Sequence, residues 1–182
     1  MFRRLPSLTR ALLLGAAAAS AAVGPAVAQS SASRSTTASG SIFQPLLVEK
    51  TSDLSFGVVS RPTSGNATIT IAAATGQRSL SGAGALLNNG LNAAPSRASY
   101  TVTGEGGQTI SINVPASFNM TRTGGSETIP VTLTSTATSS KLSGSAGSSA
   151  TSTFGVGGSL TINNTTAGGA YAGVFNVVVD YN

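Results

Sequence analysis

The chain has no cysteine, no histidine and no tryptophan. The first absence excludes disulfides, thiolate metal sites and a thiol nucleophile, so any fold must be held by burial and hydrogen bonding alone. The second removes the usual general base and the commonest metal ligand. Charge is also scarce, at 8% of residues, and the five acids Glu49, Asp53, Glu105, Glu127 and Asp180 are scattered. Nothing in their spacing favours a glycosidase-like pair, and Glu49 with Asp53 lacks the oxygen-rich loop that calcium needs. Serine is plentiful, yet there is no G-x-S-x-G elbow, and Lys50 and Lys141 have no serine-lysine motif around them. The sequence therefore predicts a non-enzymatic protein without cofactor or metal.

The basic residues are unevenly placed. Arg3, Arg4 and Arg10 precede the apolar run Ala11 to Val23 and the small-residue site Ala26-Val27-Ala28, the pattern of a secretory signal peptide cleaved after Ala28. The run is shorter than the roughly 18 residues a transmembrane helix needs, and no later segment is long and apolar enough to span. Cleavage would leave seven basic against five acidic residues, a net charge of +2. The remaining lysines and arginines are dispersed without interleaved aromatics, which argues against a nucleic-acid surface. An exported product is expected, in the periplasm, at the cell surface or outside the cell.

Residues 29–40 are rich in Ser and Thr with only Ala32 and Ala38 apolar, and are expected to be a disordered tail. Residues 41–182 read as one domain of short strands. Ile42, Leu46 and Val48 share one face of a first segment that Pro45 restricts to an edge or a bend. Leu54 to Val59, Ala67 to Ala72, Gln77 to Leu80 and Gly84 to Leu87 follow, the second with Ile69 and Ile71 inward. Ala98 to Thr103 and Gln108 to Val114 flank Gly104-Glu105-Gly106-Gly107 and read as a hairpin. Thr128 to Thr134 puts Ile129, Val131 and Leu133 on one face with Pro130 outward. Residues 139–151 read as an exposed loop or weak edge hairpin, and Thr153 to Ile162 as a strand bulged at Gly157-Gly158. Asn66, Asn119 and Asn164 satisfy the glycosylation sequon and are read as turn residues. No segment past the signal region has helical periodicity, so the expectation is an antiparallel immunoglobulin-like β-sandwich, with a closed barrel fitting less well.

The end of the chain has the clearest pattern. Phe175, Val177, Val179 and Tyr181 alternate with Asn176, Asp180 and Asn182, the period of a half-buried strand, with Val178 the bulky exception. The motifs Leu54-Ser55-Phe56-Gly57, Tyr100 to Gly107, Phe154 to Gly158 and Gly173 to Asn182 resemble a bacterial exported domain family of unknown function, family 4402. The ending also resembles subunits of chaperone-usher pili, in which a penultimate aromatic, here Tyr181, follows a glycine fourteen from the end, here Gly169. That resemblance implies an assembly strand formed by Gly169, Phe175, Val177, Val179 and Tyr181. It also implies a neighbour's extension completing the fold by strand addition, with a periplasmic chaperone and an usher as partners. Residues 29–40 carry no bulky alternation, so Ile42, Leu46 and Val48 mark the candidate donor, or else the domain's own first strand. The function expected is a structural or cell-surface subunit, with a carbohydrate- or matrix-binding module or adhesin as the alternative.

Overall fold

The computed structural model describes residues 31–82, 86–88 and 94–182. The expected signal segment 1–28 and the start of the strand expected over Gly84 to Leu87 lie outside the described residues. Residues 31–40 are exposed and carry no regular secondary structure. Among its described residues the unit Ser41–Asn182 contains thirteen strands and no helix. In chain order these are β1 (Leu47–Ser52), β2 (Val58–Ser60), β3 (Asn66–Ile71), β4 (Arg78–Gly82), β5 (Leu86–Asn88), β6 (Ala98–Glu105) and β7 (Thr109–Asn113). They continue with β8 (Ser117–Arg122), β9 (Thr128–Ser135), β10 (Ser139–Lys141), β11 (Ser149–Asn163), β12 (Tyr171–Ala172) and β13 (Val178–Tyr181).

All pairings are antiparallel. The main sheet has eight strands, with β1-β6-β11-β9-β8-β12 in order and β3 and β4 joined through β11. It is curled into a half-barrel, so the fold is sandwich-like rather than built of two matched flat layers. A three-stranded sheet β10-β7-β13 and the pair β2-β5 complete it. The seam is β11, fifteen residues long. Its first half, Ser149 to Val156, pairs with β6 and its second, Gly158 to Asn163, with β3, while β9 lines the opposite edge from Val156 to Leu160. These registers run without a shift through Gly157 and Gly158, so the bulge expected there is absent. The glycines instead allow a close crossing, because a Cβ on Gly157 would stand 2.2 Å from the Ile71 carbonyl oxygen.

Alternation sets the inner faces. Ala67, Ile69 and Ile71 of β3 point inward, as do Ile129, Val131 and Leu133 of β9 and Ile110 and Ile112 of β7. Tyr100 and Phe154, opposite one another in the β6–β11 register, stack with centroids 5.1 Å apart. Pro130 faces outward, as its phase predicts. The β9–β11 ladder ends at Val131, one residue short of Pro130, which has no N–H to donate.

Several expectations are corrected. β6 and β7 do not form a hairpin: β6 pairs with β1 and β11, β7 with β10 and β13, and the glycine-rich link turns the chain from one sheet to the other. Its glycines serve close approach, since a Cβ on Gly106 would meet the Ser145 carbonyl oxygen at 2.7 Å. Residues 139–151 are neither loop nor edge hairpin throughout, for β10 and the start of β11 lie within them and Leu142 is fully buried. β8, a strand beyond those the sequence predicts, has a polar and apolar alternation, Ser117, Asn119 and Thr121 outward against Phe118 and Met120. Asn66 and Asn119 are strand residues and only Asn164 sits in a turn. The first strand begins at Leu47, so Ile42 and Leu46 precede it.

Candidate functional site

The C-terminal ribbon is two short strands. β12 pairs with β8 in the main sheet and β13 with β7 in the small one, and residues 173–177 belong to neither ladder. The predicted continuous strand is thus corrected, although its phase survives: Phe175, Val177, Val179 and Tyr181 are half-buried while Asn176, Val178 and Asp180 are exposed. Side-chain packing sustains the alternation where the ladder is missing, as Phe175 tilts onto Phe118 with centroids 5.1 Å apart. Gly169 is in no strand. It lies in a bend with φ +147°, where a Cβ would crowd the Arg122 side chain at 3.1 Å.

At the other end, Ile42 is 97% exposed, Val48 is exposed on β1, and only Leu46 packs against the core. Of the candidate donor segment only Leu47 and Val48 lie in β1, which pairs with β6 of its own chain. Chain ends meet here. The Tyr181 hydroxyl donates to the Gln44 carbonyl at 2.8 Å and accepts from the Glu105 N–H at 2.7 Å. Glu105 is 2% exposed, and its carboxylate accepts from the N–H of Gln44 at 3.3 Å and from that of Gly147. Among the described residues it makes no ion pair, and these backbone donors are its hydrogen-bond partners. The clasp depends on Gly104, where a Cβ would stand 2.5 Å from the Tyr181 hydroxyl. Phe43 covers the clasp, its ring 5.8 Å from that of Tyr181. The sequence carries one sign of this site, an acid among three glycines, and that pattern is also the mark of a hairpin turn.

A cavity of about 920 Å³ opens on the inner side of the half-barrel. Ile129, Leu160 and Ile162 line it where the β9–β11 ladder has stopped at Val131. The opposite wall includes Leu54, Phe56 and Val59, held in place by the Arg78 guanidinium, which donates to the carbonyls of Phe56 and Val58. The loop before β12 closes one end. No reading of the sequence anticipated the cavity, since it comes from a missing stretch of ladder rather than from a motif.

Charge contributes little elsewhere. Among the described residues there are two ion pairs, Lys50–Asp53 and Arg122–Glu127, and no group of three or more acidic side chains close enough to hold a metal. The hydrogen bond that Lys50 donates to the Asp53 carboxylate raises its ammonium, and burial raises the Tyr100 phenol. Glu127 accepts from Arg122 Nε and Nη2 at 2.8 Å each, and this fork holds its carboxyl below the usual range, helped by backbone N–H groups. A depressed folded value means the pair's contribution is present above the unfolded carboxylate range and fades as pH falls through the folded value. Arg122→Gln is expected to return the Glu127 carboxyl resonance to an ordinary titration in NMR, with little change in melting temperature because the pair is solvent-exposed.

Fold and site together define an all-β, antiparallel protein whose described ionisable groups are spread out rather than gathered. The chain matches the model of DUF4402, a domain of unknown function, over residues 46–181. It belongs to that family. No curated protein and no solved structure matches it, and the likeness to chaperone-usher subunits finds no support in these comparisons. No helix among the described residues is long and apolar enough to cross a membrane.

Proposed function

We propose that the protein is an exported, non-enzymatic structural subunit that self-associates by β-strand addition, the segment from Ile42 to Val48 being the added strand. The observation that supports this is the segment's exposure: Ile42 is 97%, Phe43 47%, Leu47 64% and Val48 38% accessible. Four large apolar side chains in seven residues, leading into an edge strand with one open side, form a template for pairing with a second chain. The clasp at Glu105 and Tyr181 holds the segment to its own domain until a neighbour competes for it. In this reading the two sheets keep the immunoglobulin-like division of labour, and a chaperone would cover the open edge before assembly.

The alternative, a carbohydrate or matrix binder, draws on the outer face of the main sheet. There Ser79, Thr70, Ser159, Thr132 and Ser117 lie in one cross-strand row of hydroxyls. The tyrosines that would form a stacking platform are otherwise engaged: Tyr100 on Phe154, Tyr171 bonded to the Ala167 carbonyl and Tyr181 in the clasp. Self-association is therefore preferred. Sedimentation of the purified protein is expected to show polymers resisting SDS, and deletion of residues 29–48 to abolish them while a folded monomer remains. Polymers that persist after that deletion would refute the assignment of the donor, and a monomer in both cases would refute strand addition.

A further inference from the structure

The cavity has a distribution of chemistry that the assembly reading does not use. Its walls are apolar, with Leu54, Phe56, Val59, Met120, Leu160 and Ile162 among the lining side chains. Two polar side chains beside them are engaged. The Tyr171 hydroxyl donates to the Ala167 carbonyl at 2.8 Å, and Arg78 is bound to the wall carbonyls. A ligand body lying along these side chains would meet few polar atoms away from Ser55 and the loop of residues 166–170, which favours a hydrocarbon body with one polar end. The volume, about 920 Å³, lies toward the upper end of small-molecule sites.

Among the described lining residues there is a single cation. Arg61 lines the cavity and is exposed, and its Nη1 donates to the Thr166 carbonyl at 3.1 Å. Among the described residues it makes no ion pair, whereas Arg122 is paired with Glu127. The Thr166 bond fixes the guanidinium beside the loop that closes one end of the cavity, leaving the rest of its donor fork for an anion.

We infer that this cavity binds one long-chain carboxylate, a free fatty acid, with its hydrocarbon chain between β2, β8 and the β9–β11 gap and its head group on Arg61. The site exists because Pro130 ends the β9–β11 ladder and leaves the inner faces of Ile129 and Ile162 without a strand between them. It is independent of strand addition, since neither Ile42–Val48 nor the clasp lines it.

The test uses the protein expressed from its full coding sequence, with palmitate, its methyl ester and a palmitate carrying a photoreactive group at the chain end. Palmitate is expected to bind saturably, and photo-adducts to fall on residues such as Phe56, Met120 or Leu160. The ester should bind about tenfold more weakly, the loss of one charge-assisted contact, and Arg61→Gln should abolish that preference while leaving ester binding unchanged. Absence of saturable binding, or adducts confined to the exposed Ile42–Val48 segment, would overturn the site. Equal affinity for acid and ester in the native protein would overturn the role of Arg61. Retention on anionic lipid vesicles without binding of free palmitate would overturn the fatty acid in favour of a membrane lipid. These variants leave the clasp untouched, and mass photometry read in parallel keeps a change in assembly separate from a change in binding.

Discussion

Gly157→Ala is expected to destabilise the domain by about 3 kcal/mol or more, the upper range of core overpacking. The new Cβ would stand 2.2 Å from the Ile71 carbonyl oxygen, 2.5 Å from the Ala73 N and 2.9 Å from the Ala72 carbonyl carbon. All three are backbone atoms, so relief requires moving the end of β3 rather than turning a side chain. That end is anchored on both sides. Ile71 pairs with Gly158 and Arg78, and the Arg97 guanidinium donates to the Ala73 carbonyl at 2.8 Å. Urea unfolding should show a lower midpoint with an unchanged slope if two-state behaviour is kept. Gly168→Ala is the control, since nothing lies within 4 Å of its missing Cβ, and it should fall within about 0.5 kcal/mol of the native protein. Equal midpoints for the two variants would show that β3 does not cross β11 as described.

The second large effect is expected at the clasp. Tyr181→Phe removes a hydroxyl that both donates to Gln44 and accepts from Glu105, leaving a buried N–H without a partner, a loss of about 2 kcal/mol. Glu105→Ala mixes two opposing terms. It relieves the desolvation of a carboxylate without an ion pair among the described residues, but removes the acceptor from the N–H groups of half-buried Gln44 and exposed Gly147. Both variants share one consequence, release of the N-terminal segment. Chymotrypsin cleavage after Phe43 under native conditions should accelerate about tenfold, as expected for losing roughly 1.4 kcal/mol from local closure. Unchanged cleavage in both would mean that Leu46 and the β1–β6 ladder alone hold the segment.

The strand faces were legible because alternation survives even where ladders do not. Phe175 and Val177 sit outside any strand yet keep the burial their spacing predicts, since the sequence pattern encodes a face and not a partner. Partners were less legible. Residues 98–103 and 108–114 have the local marks of a hairpin, two alternating runs around glycines, and nothing local records that residues 104–107 are docked against the chain between Leu142 and Ser148. The Gly107 N–H donates to the Leu142 carbonyl and the Gly106 N–H to that of Ser148. Glu105 was hidden for the same reason, because burial of an acid depends on donors at residues 44 and 147, far off in sequence. The short strand β8 is a different case. Its alternation was present, but Asn119 and Thr121 against Met120 give weak contrast.

β11 also determines when the chain can become ordered. Ser149 meets Glu105, Gly158 meets Ile71 and Leu160 meets Val131, so three earlier parts of the polypeptide have their common neighbour only after position 149 has arrived. Until then β3, β6 and β9 are separate ribbons with unsatisfied flanks, and each loop to be closed is long enough to make collapse onto β11 slow. A nascent chain truncated before Ser149 therefore has no seam to condense on, and its folding is a late, concerted event rather than a sequential build from the N-terminus.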